Sequence, residues 1–191
     1  MLAYVFWHWP QSTIERQLYE DLLVSFQRTL KSYRPDGLKE AAIFRVSQMP
    51  WIGHDGDAYE EWYLLEDSAA LDRLNRAAVS GACEEPHNRV AMQASGGVAG
   101  LYRLRTGEEI LTHSRVATWF TKPTGLSYNH LESTLQPVIS PPGTGLWGRQ
   151  MTLGPTPEFC IHSPSGVQLS TEYNAVSISQ ELIWSGRTDN R

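Results

Sequence analysis

The spacing of apolar positions predicts a strand and then a long helix at the start of the chain. Residues 3–9 are nearly all aromatic or β-branched and stop at Pro10, which is typical of a strand. Apolar residues then recur every four positions from Ile14 to Leu30, which predicts an amphipathic helix of about five turns. Ser12 and Glu15 have the spacing of a capping box, so we expect the helix to begin there.

The remainder of the first half continues the alternation of strand and helix patterns. It predicts, in order, strands at 41–46 and 59–66, a helix from Asp67 or Ser68 to Gly81, a helical piece at 87–94 and a strand at 101–105. A loop rich in Pro, Gly and Asp separates the first two of these strands, at 49–57. The order β-α-β-β-α-β is the ferredoxin-like split motif.

The second half repeats much of this pattern in a shorter form. Residues 116–123 parallel residues 4–10, and each run ends in proline. Ser127 is placed to cap a shorter helix, which we expect Pro137 to end or kink early. Strands are predicted at 146–153, 158–162 and 175–184, with no second helix between the last two. The order of elements therefore predicts a tandem repeat.

In its element order, over nearly the whole chain, the sequence resembles the dimeric α/β-barrel superfamily, in which two ferredoxin-like units pair their sheets into a barrel. The resemblance implies an α+β fold made of two fused units, 1–110 and 111–191, packed as one compact body, the second degenerate and lacking its second helix. Members include cyclases, isomerases, cofactor-free monooxygenases, haem enzymes and non-catalytic ligand binders. The fold alone therefore does not select a function.

Composition and charge exclude several classes of protein. Hydrophobic residues make up 41% of the chain and charged residues 19%, which is globular composition. The net charge of −5, without a basic block, argues against a nucleic-acid binder. No apolar run approaches the length of a membrane span, and the first ten residues do not read as a signal peptide. Cys83 and Cys160 lie far apart and suit neither a disulfide framework nor a CxxC zinc site. We expect a cytoplasmic protein with no membrane partner.

Aromatic residues and arginines supply candidates for a binding site. The 7 Trp are either core or the walls of a cavity, and Trp51 and Trp62 are candidate walls. In the strand at 41–46 the wholly apolar set of alternate residues is expected to meet the helices, which places Arg45 on the barrel side. The same reasoning places Arg103 there. The two arginines either hold an anion or form surface salt bridges.

Among the 6 histidines no spacing suits zinc, and His8 is the best candidate for proton transfer. As the polar member of its strand it is placed inward; the alternative is a buried imidazole satisfied by hydrogen bonds. His54 lies in the Gly-rich loop, flanked by Trp51 and Tyr59, as part of either a lid or an ordinary exposed loop. Glu61 is either a general base, with a pKa raised by the neighbouring carboxylates Glu60 and Glu66, or a charge exposed to solvent at the end of its strand.

These observations predict a cofactor-independent enzyme that acts by proton transfer (cyclisation, isomerisation or elimination) on a small aromatic or polyketide-like molecule. The predicted catalytic residues are His8, Tyr63 and Arg45, and the predicted substrate-binding residues are Arg103, Trp51, His54, Tyr59, Glu61 and Trp62. The alternatives are a non-catalytic ligand-binding or assembly protein, and a haem enzyme whose ligating histidine no motif marks. We expect a small-molecule ligand, no metal site, and a monomer or weak homodimer.

Overall fold

A computed structural model describes residues 1–109, 111–152 and 155–188. In these ranges the strands, β1 to β9, are Leu2–Pro10, Leu38–Met49, His54–Leu65, Ala94–Gly107, Val116–Phe120, Gly145–Thr152, Phe159–Ser163, Val176–Ser179 and Glu181–Arg187. The α-helices, α1 to α4, are Arg16–Tyr33, Ser68–Ala78, Glu84–Ala91 and Tyr128–Ile139. The protein is therefore α+β, as the sequence predicts.

All nine strands join one antiparallel sheet in the order β8-β5-β7-β6-β4-β1-β3-β2-β9. Only Gln180 separates β8 from β9, yet β8 pairs with β5 at one end of this order and β9 pairs with β2 at the other. The two ends of the sheet are thus adjacent in the chain, and the sheet curls into a nearly closed barrel. Helices α1 to α3 cover the outside of β1 to β3, and α4 covers part of the second half.

The inside of the barrel is a solid aromatic core. The side chains of Trp7, Trp62, Trp119, Trp147 and Tyr102 are fully buried there. Their rings meet mainly edge to face, with centroids 5.2 Å apart for Trp7 and Trp119 and 5.3 Å apart for Trp62 and Trp147. Trp51 packs against this core. Of the two interpretations of Trp51 and Trp62, core and cavity wall, the structure supports core.

The carboxylate of Glu60 forms hydrogen bonds with two of the tryptophans of this core. Glu60 has no exposed surface. Its carboxylate accepts hydrogen bonds from Trp7 Nε1 at 2.9 Å, Gln180 Nε2 at 3.0 Å and Trp62 Nε1 at 2.5 Å. Burying an indole N–H without a hydrogen-bond partner costs free energy, so Glu60 stabilises the packing of Trp7 and Trp62.

The predicted assignment of sheet faces is wrong. Phe44 and Val46 point into the barrel, and Arg45 lies on the outer face, where it contacts Glu20 of α1. Tyr102 points inward, so Arg103 on the same strand points outward. Where α1 to α3 cover the sheet, both of its faces are buried, and the barrel interior excludes water more completely than the helix layer does. The wholly apolar sets therefore fill the barrel, and the mixed sets face the helices.

Three local predictions also differ from the structure. Helix α1 begins at Arg16 without a side-chain cap, so Ser12 does not cap it. His54 begins strand β3 instead of lying in a loop. The strand predicted at 175–184 is two strands, β8 and β9. The caps predicted for α2 and α4 are confirmed: Asp67 accepts from Ala70 N at 2.8 Å, and Ser127 accepts from His130 N at 3.2 Å.

Two further features bear on the predictions. Strand β6 ends at Thr152, and Leu153, the predicted last residue of that strand, lies outside the described residues. Within the described ranges, none of the helices has the length and hydrophobicity needed to cross a membrane.

Candidate functional site

A cavity of about 790 Å³ lies between the outer face of the sheet and helices α1 to α3. Its middle is apolar and is lined by Phe6, Phe26, Leu30, Leu71, Leu74 and Val90. Its rim carries the exposed polar residues Asp72, Asn75 and Ser95. A cavity of this size and composition suits a small, largely apolar ligand.

The floor of the cavity holds a histidine between a phenol and a carboxylate. His8 is 1% exposed, and its Nδ1 lies 2.8 Å from the hydroxyl of Tyr19. Its Nε2 lies 2.9 Å from Glu61 Oε1, although the N–H direction does not make a well-aligned hydrogen bond. Because Nε2 faces a carboxylate, it carries the proton, and Nδ1 then accepts from Tyr19.

Glu61 is surrounded by hydrogen-bond donors. Tyr63 donates to Glu61 Oε2 at 2.6 Å, and the amide of Gln27 donates to the same oxygen. Burial alone raises the pKa of Glu61, but His8 and the hydrogen bonds from Tyr63 and Gln27 outweigh burial and hold that pKa below its ordinary value. Glu61 is therefore an ionised carboxylate on the floor of a largely apolar cavity.

The aromatic rings around the pair fix its geometry. The imidazole of His8 is stacked between Phe6, with centroids 5.0 Å apart, and Tyr59, with centroids 5.6 Å apart. Burial, followed by the charge of Glu61, raises the pKa of Tyr63 and of Tyr19, so both phenols stay neutral hydrogen-bond donors. A carboxylate behind an oriented imidazole is an arrangement that can accept and return a proton.

The structure brings together some of the residues predicted from the sequence. His8, Glu61 and Tyr63 all line the cavity floor. Tyr59 stacks on His8, but its hydroxyl donates to Glu20 at 3.1 Å and is thereby directed away from the floor. His8 reaches this cavity because it faces the helices; the predicted placement on the barrel side was wrong.

Neither predicted arginine reaches the floor. Arg45 is held in ion pairs with Glu20 at 2.8 Å and Glu181 at 2.5 Å, outside the cavity. Arg103 lies on the far side of β1, where its guanidinium contacts Gln150 at 3.3 Å. Arg45 thus forms the salt bridges of the second interpretation, and no arginine of the described ranges is among the residues that line the cavity.

Three other predicted binding residues lie elsewhere. Trp51 and Trp62 belong to the barrel core, on the opposite face of the sheet. His54 stacks on Trp9, with centroids 5.2 Å apart, and does not line the cavity. The cavity is therefore walled mainly by Phe, Leu and Tyr side chains, and Trp51 and Trp62 lie on the other side of the sheet.

Sequence reasoning missed the residues that the helices contribute. Tyr19 and Gln27 on α1 contact His8 and Glu61, and His87 on α3 lines the cavity. A signal for the first two was present: Tyr19, Leu23 and Gln27 recur every four residues beside the apolar stripe of α1. A polar residue inside the buried stripe of a helix needs a partner in the layer it covers.

Within the described ranges, the structure contains no cluster of three or more His, Cys, Asp or Glu side chains suited to a metal ion. Cys83 and Cys160 are both buried and unpaired as disulfides.

The sequence matches no protein-family model and no curated protein. Among solved structures, the chain is similar to an "anthrone oxidase-like protein", with a TM-score of 0.61 and 9% identity over 99% of this chain and 94% of that one. A "putative monooxygenase" from Lactobacillus acidophilus NCFM has a TM-score of 0.61 and 8% identity, with 98% and 96% of the two chains covered.

A "putative monooxygenase" from Fusobacterium nucleatum subsp. nucleatum has a TM-score of 0.62 and 7% identity, with 97% of this chain and 94% of that one covered. At such identities the likeness is one of fold. The chain has the fold of these proteins over nearly its whole length, and its chemistry has to be argued from its own residues.

Proposed function

We propose that the protein is a cofactor-independent enzyme that removes a proton from a small, flat aromatic or polyketide-like molecule bound in the cavity. The observation that carries the proposal is the oriented His8–Glu61 pair on the floor of a cavity with apolar walls. An ionised carboxylate behind an imidazole provides a base, and the apolar walls accept the rings of the substrate.

In this reaction His8 receives the proton at Nδ1, directly or through the hydroxyl of Tyr19, and Glu61 balances the charge of the imidazolium. Tyr63 stays neutral and holds Glu61 in place. Proton transfer of this kind supports cyclisation, isomerisation or elimination, and it also prepares an electron-rich ring for attack by dioxygen.

The names of the structural neighbours favour the last of these outcomes. Removal of a proton from the acidic C–H of an anthrone leaves a carbanion, which dioxygen oxidises to the quinone. One anthrone and one dioxygen give one anthraquinone and one water, and no further reductant is needed. A hydroxylated anthrone is therefore the first substrate to test.

The test compares turnover by the natural protein with turnover by His8→Gln, measured as oxygen uptake and quinone absorbance. We expect turnover to fall by about a hundredfold or more, the usual contribution of a general base, while the fold is kept. His130→Gln is the matched control, because His130 is exposed on α4, far from the cavity. A His8→Gln variant that works at the natural rate would rule out the proposed base.

A binding protein without catalysis is the second candidate, because every polar group on the floor already contacts another residue of the chain. Ligand affinity, measured by quenching of intrinsic fluorescence, distinguishes the two. Tight binding without turnover by the natural protein supports the binding protein, and unchanged affinity with lost turnover in His8→Gln supports the enzyme. Soret absorption of the purified protein would instead support the haem alternative.

The two-unit organisation, 1–110 and 111–191, remains part of the proposal. It is supported by the relative strand order, which is β4-β1-β3-β2 in the first half and β8-β5-β7-β6 in the second. The number of helices differs, since α4 is the only α-helix described between residues 116 and 188. We expect the cavity to belong to the first unit alone.

A further inference from the structure

We propose that Gln27 is the positioning residue that keeps the carboxylate of Glu61 ionised and turned toward His8. The inference rests on the proposed function, because it assigns a task to a side chain behind the proposed base. Gln27 lies on α1, one turn beyond Leu23, and is 1% exposed. It is not among the residues that line the cavity.

The orientation of the Gln27 amide is the first argument. Its Nε2 donates to Glu61 Oε2 and to the hydroxyl of Tyr63, the latter at 2.5 Å. Tyr63 uses its own hydrogen to reach Glu61 Oε2 at 2.6 Å. Two donors therefore converge on one carboxylate oxygen, which leaves Oε1 to contact His8 at 2.9 Å. Hydrogen bonds to an ionised acceptor are the strong kind, and they favour the charged form.

The unpaired oxygen of the same amide is the second argument. Gln27 Oε1 is buried and has no hydrogen-bond partner in the described part of the chain. Turning the amide over would place this oxygen against the carboxylate of Glu61, where two acceptors would repel each other. Burying an acceptor without a partner costs free energy. The orientation of the Gln27 amide therefore indicates that the contact of its N–H groups with the charge of Glu61 stabilises the chain by more than the unpaired oxygen costs.

The side chains that face Glu61 from the neighbouring elements leave the stabilisation of its charge to a small number of groups. From β1 it is faced by the imidazole of His8 and by Tyr4, whose phenol stays neutral. From β3 and α1 it is faced by Tyr63 and Tyr19, and its paired neighbour on β2 is the apolar Ile43. Gln27 is thus a neutral donor that holds the carboxylate without adding a second charge.

The test replaces Gln27 with leucine, which keeps the size of the side chain and removes both N–H donors. The carboxyl of Glu61 is followed by carbon-13 NMR across a pH titration, and its signal is assigned from its absence in Glu61→Gln. We expect the Gln27→Leu protein to show the Glu61 titration at a pH about one unit or more higher. The acidic limb of the pH–rate profile should move in the same direction.

Gln17→Leu is the matched control, since Gln17 lies on the exposed side of the same helix and donates to Asp21 at 3.0 Å. If Gln27→Leu does not fold, Gln27→Glu keeps the shape, and its like charge should also move the Glu61 titration upward. An unchanged Glu61 titration in the folded variant overturns the inference. The NMR measurement needs no substrate, so a shifted titration together with a His8→Gln variant that works at the natural rate would overturn the proposed function and leave the role of Gln27 standing.

Discussion

At the scale of single residues, two adjacent glutamates show how strand geometry separates structural from chemical tasks. Glu60 and Glu61 follow each other on β3, so their side chains point to opposite faces of the sheet. Glu60 enters the barrel and accepts hydrogen bonds from two tryptophans. Glu61 enters the helix side and contacts His8. The pair could be recognised from the sequence, but not which member faces a cavity, because that depends on what fills each face.

The ionised state of Glu61 makes a prediction about stability at low pH. Its pKa in the folded chain lies below the ordinary value of 4.5. Below that value the unfolded chain therefore binds more protons than the folded one, and stability falls as the pH falls through the folded pKa. We expect the free energy of unfolding, measured with urea on both sides of pH 4.5, to fall less steeply with acid in Glu61→Gln than in the natural protein.

Glu66→Gln is the control for this measurement. Glu66 is an exposed glutamate just after the end of the same strand, where it pairs with Lys39 at 3.3 Å. An exposed pair contributes little, so this variant should follow the natural protein across the acid range. If the free energy of unfolding had the same pH dependence in Glu61→Gln and in the natural protein, the charged form of Glu61 would be no more stable in the folded chain than in the unfolded one.

At the scale of elements, the sequence predicts which segments are strands and helices better than it predicts which way they face. The strand 41–46 and the helix after Asp67 lie where their patterns place them. The face of Arg45 is predicted wrongly, because β2 is covered on both sides and its two sets of side chains differ little in burial. Periodicity in a sequence shows a difference in hydrophobicity between the two faces of a strand. A strand that lies between a barrel core and a helix layer is buried on both faces, so this difference is small.

The cap of α2 gives a prediction at this scale. Asp67 accepts from Ala70 N at 2.8 Å, and α2 carries Leu71 and Leu74 to the cavity. Asp67→Ala should lower the stability by about 1 kcal/mol, the usual loss for an N-cap, and lower Tm by a few degrees. Asp72→Ala is the control, since Asp72 forms an exposed i,i+4 pair with Arg76 and caps no helix in the described part of the chain. Equal losses in the two variants would show that the cap contributes no more than a surface ion pair.

At the scale of the whole molecule, the position of the cavity depends on how the side chains fill each layer and not on the order of the strands and helices. The resemblance drawn from element order implies a barrel, and a barrel is the natural place to expect a binding site. Here the barrel is filled by Trp and Tyr rings, and the space lies outside it, below α1 to α3. Around α4 the corresponding space is packed by Phe120, Leu131, Leu135 and Phe159. Packing at this level is decided by many side chains together, so element order does not reveal it.

Closure of the barrel within one chain predicts the state of association. Strand β6 pairs with β4, and β9 pairs with β2, so both seams between the halves are made inside the chain. A second copy is not needed to cover the aromatic core. We expect the full chain to sediment as a monomer or as a weak dimer whose dissociation is seen on dilution.

A fragment of residues 1–110 provides the sharper test of the same idea. Separated from β5 to β9, its sheet exposes the barrel side of Trp7, Trp62 and Tyr102, which are fully buried in the whole chain. Exposed aromatic surface of this extent drives association. The fragment should therefore dimerise or aggregate at concentrations where the full chain is monomeric. A fragment that stays monomeric with a cooperative thermal transition would contradict the shared core, and a stable full-length dimer formed through the sheet itself would contradict closure within one chain.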